Sequence, residues 1–376
     1  MIDRGALPLP VEIINEIFQY LPSYSDFPSL LLANTRIHEI ARRQLYSHID
    51  DVHGAQAIRL LASLIKYDRP KSNISSSSLL RHLPSRHELV RGLGFDFGNN
   101  RLSVNALVLI HNALRRLPHL TALTLEFSST DNRRLLSWIF PLDAPFKLKS
   151  FITSVRYEPR LARFLESQPE LLDLSLRGLQ SITPFTLKRD ALPRLQTFRS
   201  VHAGPTVIAE IVANRPVQGV SLSLYSDHDF CALSMLALSS ATVKRLTILI
   251  LDYAAPSELL PQVAAHLPDL EALHIVALVA QYDMSVHVQD TLRGSASLLS
   301  AFPSLRYLTL MATNAKGTAE DEASIAACWA KSCPTLKTII MPQGKVWFPC
   351  NGRWVCTPTN GRTGSKDAGG EAGCKV

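Results

Sequence analysis

Long apolar runs are missing from this chain of 376 residues. No stretch reaches the roughly 18 apolar residues that a membrane-crossing helix needs, so no membrane association is expected. The opening MIDRGALPLPVEII lacks an apolar core with a small-residue cleavage site, so no secretory signal is expected. Cysteine is scarce: six residues are too few for a disulfide framework at this length. Cys231, Cys328 and Cys333 lie in apolar helical stretches and read as small core residues. Cys350 and Cys356 have no second Cys/His pair to complete a zinc set, so no metal and no cofactor are expected. No Ser/His/Asp or Cys/His set has the local context of a nucleophile, and an enzyme is not expected. Charged residues make up 19% and hydrophobic residues 46%, which excludes a disordered chain as a whole. Together these absences point to a reducing compartment: cytoplasm, nucleus or both.

Two further signals dissolve on inspection. RGLGFDFG (91–98) looks glycine-rich, but Phe97 holds the place of the third glycine of a dinucleotide loop. YSDHDF (225–230) groups polar residues after an apolar run, which is the usual spelling of a turn. Charge is uneven: net −2 over residues 1–50, +10 over 51–200 and −1 over the remainder. A basic middle attracts nucleic acid or an acidic protein, or is simply a solvated surface. Nucleic acid is not the expected partner.

What the chain does contain is a repeat. Aligned on Pro-x-Leu-x-x-Leu-x-Leu, it gives PHLTALTL from Pro118, PELLDLSL from Pro169, PRLQTFRS from Pro193, PDLEALHI from Pro268, PSLRYLTL from Pro303 and PTLKTIIM from Pro334. Weaker copies are ELVRGLGF from Glu88, FKLKSFIT from Phe146, VQGVSLSL from Val217 and ATVKRLTI from Ala241. Their starts step by 30, 28, 23, 24, 24, 24, 27, 35 and 31 residues, close to the roughly 20–29 of leucine-rich repeats. The last two leucines are two apart, so they share one face of a short strand. Apolar helical stretches precede several strands: VNALVLIHNALRRL, VIAEIVANR, SELLPQVAAHL and SIAACWAKS. The proline stops the helix and turns the chain into the strand. Each unit is expected to be one strand and one helix, and only stacking buries its leucines.

One segment stands outside this pattern. In LPVEIINEIFQYL (9–21), Ile13, Ile14, Ile17, Phe18 and Leu21 share a helical face, and Glu12, Asn15, Glu16 and Gln19 lie on the other. DFPSLLLAN (26–34) and RIHEIARRQLY (36–46) also carry apolar residues at helical spacing. Three helices this short bury little surface and tend to need a neighbour or partner.

Residues 88–341 resemble a leucine-rich-repeat solenoid. The repeat family's Asn/Cys position departs from its pattern: it holds Ser128, Leu179, Asp227, Leu251, Leu278 and Thr313, so the turn amides need other acceptors. Leu9 to Ile49 resembles an F-box: LPxEI, then a helix ending QYL, then Asp with a leucine run, then a helix ending ARRQLY. LLLANTRIHEIARRQLYSHI stands where the family usually has Val-Cys before the third helix and Trp within it, as in many fungal F-box proteins. The fold class expected is α/β, a short N-terminal three-helix F-box followed by a curved solenoid of strand–helix repeats. The expected boundaries are 1–50 for the F-box, 51–87 for a helical or loop connector, 88–345 for the solenoid, and 346–376 for a C-terminal cap and disordered tail.

The resemblance implies a non-catalytic substrate receptor of a Skp–cullin–F-box ubiquitin ligase. Its partners would be a Skp-type adaptor, through it a cullin, and an unidentified protein substrate. The adaptor-binding candidates it implies are Leu9, Pro10, Ile13, Ile17, Leu21, Leu30 and Leu31; Ile14 and Phe18 are assigned to internal packing. If the strands line the concave side, the residues flanking the strand leucines form the substrate surface. These are Asp173, Arg177, Arg199, Tyr225, Arg245, His274 and Tyr307. Tyr and Arg are frequent hot spots of binding. The alternative is a non-ligase repeat scaffold that binds nucleic acid or an acidic protein through the basic middle.

Overall fold

The computed structural model describes residues 9–21, 26–65, 85–98, 101–128, 130–131, 134–224, 230–250, 256–277, 292–312, 319–342 and 344–356. The chain opens with α1 (Val11–Gln19), α2 (Phe27–Ala33) and α3 (Thr35–Ser47). A sheet of 13 strands follows in strict chain order. Its strands are β1 (His48–His53), β2 (Gly92–Asp96), β3 (Ala122–Glu126), β4 (Ser150–Thr153), β5 (Asp173–Leu176) and β6 (Thr197–Ser200). They continue as β7 (Gly219–Leu224), β8 (Arg245–Ile250), β9 (Ala272–Ala277), β10 (Tyr307–Ala312), β11 (Thr338–Ile340), β12 (Val346–Cys350) and β13 (Arg353–Cys356). Pairing is parallel from β1 to β11, and β12 and β13 close the end as an antiparallel hairpin. Between the strands run α4 (Gly54–Ile65), α5 (Arg86–Leu89), α6 (Val104–Leu114), α7 (Pro159–Glu166), α8 (Pro205–Val212), α9 (Cys231–Leu236), α10 (Pro256–His266) and α11 (Ala319–Ser332). This is a long, mostly parallel sheet of strand–helix units, consistent with a leucine-rich-repeat-like solenoid. Among the described residues no helix is long and apolar enough to cross a membrane.

Register explains the core. The central strand residues Leu93, Leu123, Phe151, Leu174, Phe198, Val220, Leu246, Leu273, Leu308 and Ile339 pair one to the next across ten strands. All of them are buried. Each apolar side chain has a like neighbour on either side, which is how a unit too small to bury its own leucine does so in a stack. The alternate residues lie on the other, open face.

The units are less uniform than the repeat predicts. Among the described residues, a short 3-10 turn, Ser137–Ile139, stands in place of a helix between β3 and β4, and no helix joins β5 to β6. Pro184 and Pro193 and the short polar residues of the latter connection oppose a helix. Aromatic rings fill the space beside the first gap: Phe140 stacks on Phe164 at 4.9 Å and meets Phe151 edge-on at 5.2 Å. The sheet also begins at His48, well before the Glu88 start read from the repeats. Cys231, expected in the core, is exposed at the start of α9, whereas Cys333 is buried.

Side chains other than an Asn ladder serve the turns. Ser154 Oγ accepts from Phe127 N at 2.7 Å, and the buried Asp131 carboxylate accepts from Leu102 N at 2.9 Å. Tyr157 donates to Leu176 O at 3.0 Å and lies 2.7 Å from Ser200 Oγ, which accepts from Ala203 N. The buried Arg215 guanidinium donates to the carbonyls of Lys188, Ala191, Glu210 and Ala213, binding the β5–β6 connection to the end of α8. Of the Asn/Cys positions, Asp227, Leu251, Leu278 and Thr313 lie outside the described residues.

Candidate functional site: an N-terminal apolar stripe and the open face of the sheet

The N-terminal helices build a small core of their own from Phe18, Phe27, Ile40 and Ala41. Phe18 meets Phe27 edge-on with ring centres 6.1 Å apart. Asn34 caps α3 by accepting from Ile37 N at 2.8 Å. Arg36 donates to Leu9 O at 2.6 Å, tying the start of α1 to α3. Arg91 N donates to Ser47 O at 2.7 Å, and the Arg86 guanidinium stands 5.8 Å over the Tyr46 ring, so α3 runs directly into the sheet.

What this unit leaves outside is apolar. Leu9, Ile13 and Ile17 recur every fourth residue and are 55%, 43% and 49% exposed, with Pro10 exposed beside them. Ile14 and Phe18 turn inward, as expected. Leu21, Leu30 and Leu31 do not join the stripe: all three pack, half-buried, against the inner cluster. The reason is the phase of α2, where Leu30 and Leu31 follow the buried Phe27 at three and four residues and share its face. Leu32 is the leucine of that run that faces solvent, at 87% exposure, and Tyr20 is also exposed. Leu32 was legible in principle, because helical phase from Phe27 separates it from its neighbours.

The second candidate surface is the open face of the sheet. Asp173, Arg245 and Tyr307 belong to one row across the strands, with Thr197, Gly219, Ala272 and Thr338 between and beyond them. Arg199 and His274 belong to the next row. Arg177 follows β5 and is half exposed. Tyr225 lies outside the described residues. The structure thus puts six of the seven named residues on one face, spread over several strands rather than gathered into a pocket.

Several of these cations are already engaged. Arg199 Nη2 is 2.8 Å from Asp173 Oδ2, and Arg177 Nη1 is 2.9 Å from Glu126 Oε1. Burial nevertheless pushes both carboxyls above their ordinary range, outweighing the adjacent arginines. Asp173 Oδ1 is buried without a hydrogen bond, and the Arg177 contact on Glu126 Oε1 is close but poorly aligned for one. His274 Nδ1 lies 2.8 Å from Thr309 Oγ1, and burial pulls its pKa down, favouring the neutral ring. Elsewhere in the basic middle, Arg115 pairs with Asp143 at 2.6 Å and Lys188 with Glu166 at 3.3 Å. These pairs engage four cations of residues 51–200 and leave the segment's net charge of +10 unchanged.

The repeat reading missed one class of exposed residue. Pro-x-Leu-x-x-Leu has two outward positions before each strand leucine, and only the second was named. The first positions hold Lys244, Glu271, Arg306 and Lys337, each immediately before one of β8 to β11. No protein-family model matches the chain, and no curated protein matches it.

Proposed function

We propose that this chain is a non-catalytic substrate-receptor subunit of a Skp–cullin–F-box ubiquitin ligase, acting in the cytoplasm, the nucleus or both. In this reading α1 to α3 are an F-box and the sheet is a leucine-rich-repeat solenoid. The observation that carries it is the exposed stripe of Leu9, Ile13 and Ile17 on the helix spelled LPVEIINEIFQYL. Three short helices with a core of four buried residues leave apolar area that a partner would cover. The F-box resemblance names that partner as the Skp adaptor. The direct passage from α3 into β1 supports a fixed relation between adaptor and sheet. The open face would hold the target, and other subunits would perform the chemistry, accelerated through proximity.

Co-elution tests the assembly. The full chain mixed with a Skp adaptor and cullin is expected to run as one complex on size-exclusion chromatography. A chain lacking residues 1–47 is expected to elute apart from both. Co-elution of that truncated chain, or separate elution of the full one, removes the ligase reading and leaves an interaction scaffold.

A further inference from the structure

Strands β8 to β11 are each entered through a residue pair, exposed apart from the buried Ala272 and the half-buried Glu271 and Thr338: Lys244 and Arg245, Glu271 and Ala272, Arg306 and Tyr307, Lys337 and Thr338. Backbone hydrogen bonds fix their order. Glu271 N donates to Lys244 O, Arg306 N to Glu271 O and Lys337 N to Arg306 O, each at 2.8 Å. Neighbouring rungs are one strand spacing apart, about 4.8 Å. Four cations therefore share this corner with a single carboxylate. Glu271 is engaged by Lys244, whose Nζ lies 3.0 Å away. Arg245, Arg306 and Lys337 are exposed and have no ion-pair partner among the described residues. The charges converge: the Glu271 carboxyl is held below its ordinary range first by Lys244, and then by the fields of Arg306 and Arg245.

The shape of the row matters as much as its charge. Ala272 is buried between Arg245 and Tyr307, so a small side chain separates two large exposed ones. Arg245 and Tyr307 thus flank a notch about 10 Å across, two strand spacings wide. On the other side is Gly219, where an added Cβ would lie 3.6 Å from the Arg245 guanidinium, which therefore rests over bare backbone. The face offers a planar cation, an aromatic ring with a hydroxyl, and a second planar cation at Arg306. Arginine forks pair with carboxylates in two parallel hydrogen bonds.

We propose that this corner binds an acidic segment of the target protein, with Arg245 and Arg306, two strand spacings or about 10 Å apart, as anchors for separate carboxylates and Tyr307 beside Arg306. The proposal rests on reading the open face as the target-binding surface and names the chemistry of its ligand. Glu271, fixed between the two arginines, repels a concentrated dianion and is straddled by separated single charges. Residues i and i+3 of a polyproline-type extended chain lie on one side about 9 Å apart, which suits this spacing. A nucleic acid fits less well. Its phosphates need a continuous basic track, and the rungs before Lys244 are the neutral Gln218 and Gln196.

Fluorescence anisotropy of the full chain tests this, with a labelled peptide carrying Glu at every third position. The comparison arms are the same peptide with Gln for Glu, a peptide with one phosphoserine, and a single-stranded DNA of equal length. The protein variants are Arg245→Glu with Arg306→Glu, and Arg160→Glu with Arg163→Glu on α7, which change net charge equally. The Glu peptide is expected to bind best, and the open-face pair to weaken it about tenfold or more, or about 1.4 kcal/mol. The α7 pair is expected to change it less than about twofold, under 0.5 kcal/mol. Equal losses from both pairs, or no preference over Gln, overturn the proposal, as does tighter binding of the phosphopeptide or DNA. Arg245→Lys with Arg306→Lys keeps the charge and loses the fork, and is expected to fall between wild type and the reversal. Adaptor capture measured on the same proteins separates the two readings. Peptide binding without adaptor capture removes the ligase and keeps this site, and adaptor capture without peptide binding does the reverse.

Discussion

Ile17 and Leu174 are both aliphatic, yet Ile17 is 49% exposed while Leu174 is fully buried. The difference belongs to their regions. Leu174 sits in a row where Phe151 on one side and Phe198 on the other continue the same core. The cluster it joins runs from Ala57 on α4 to Trp347 on β12. Ile17 stands on a helix whose unit, among its described residues, buries four hydrophobic side chains. Stacking lets the sheet hide nearly every strand leucine, whereas three short helices have no second layer for their outer face. An apolar residue outside is therefore unexceptional for the small unit's size and informative about what it meets.

The sharpest way to break this comparison is to charge the sheet's core. Leu→Ala at such a site costs about 2–5 kcal/mol, and Leu174→Asp is expected to cost more and to abolish the cooperative urea transition. A wild-type transition for Leu174→Asp would mean that the row of buried residues is not continuous. A somewhat smaller effect is expected at Arg215. Its removal leaves buried carbonyls unserved at about 1–3 kcal/mol for each group that water does not reach. Arg215→Ala is expected to lower the denaturation midpoint clearly. Arg215→Lys should recover only part, because an ammonium cannot span acceptors at Lys188, Ala191 and Glu210 together.

The smallest expected effect is electrostatic. Burial raises the folded-state pKa of Glu126, so the folded chain holds this proton more tightly than the unfolded chain does. Ionisation thus carries a penalty that is present above the folded pKa and relieved as pH falls toward the unfolded one. Glu126→Gln removes this titration. Wild-type stability relative to Glu126→Gln is therefore expected to rise as pH falls from about 7 toward about 5 in urea melts. An opposite trend would mean that the Arg177 pairing outweighs burial.

Much of the sheet was legible because one spelling, Pro-x-Leu-x-x-Leu-x-Leu, encodes a helix stop and a strand face together. β1 escaped because its pairing slips between Ile49 and Val52, with Asp51 at a φ of 56°. That irregularity sets Ile49 against Leu93 and Val52 against Phe95, three residues apart instead of two. The alternation that marks a strand is broken there. The hairpin of β12 and β13 pairs antiparallel and has no repeat to copy. At the N-terminus the helices were readable, but the inward turn of Leu30 and Leu31 depends on which residue of α2 anchors the core, and Phe27 does so. The cations at the first outward position were visible all along as Lys244, Arg306 and Lys337. Their meaning needed the pairing order that sets them side by side.

The central claim is that the outer face of α1 docks on an adaptor while the sheet folds without that contact. It is tested most directly by the adaptor affinity and thermal melt of Ile17→Asp, measured side by side with wild type. A carboxylate at the exposed Ile17 costs little in the free chain but several kcal/mol in a dry interface, and each 1.4 kcal/mol or so is tenfold in affinity. The account predicts an unchanged melt with Skp-adaptor affinity lowered by about two orders of magnitude or more. Unchanged affinity, or no affinity in the wild type, would contradict it.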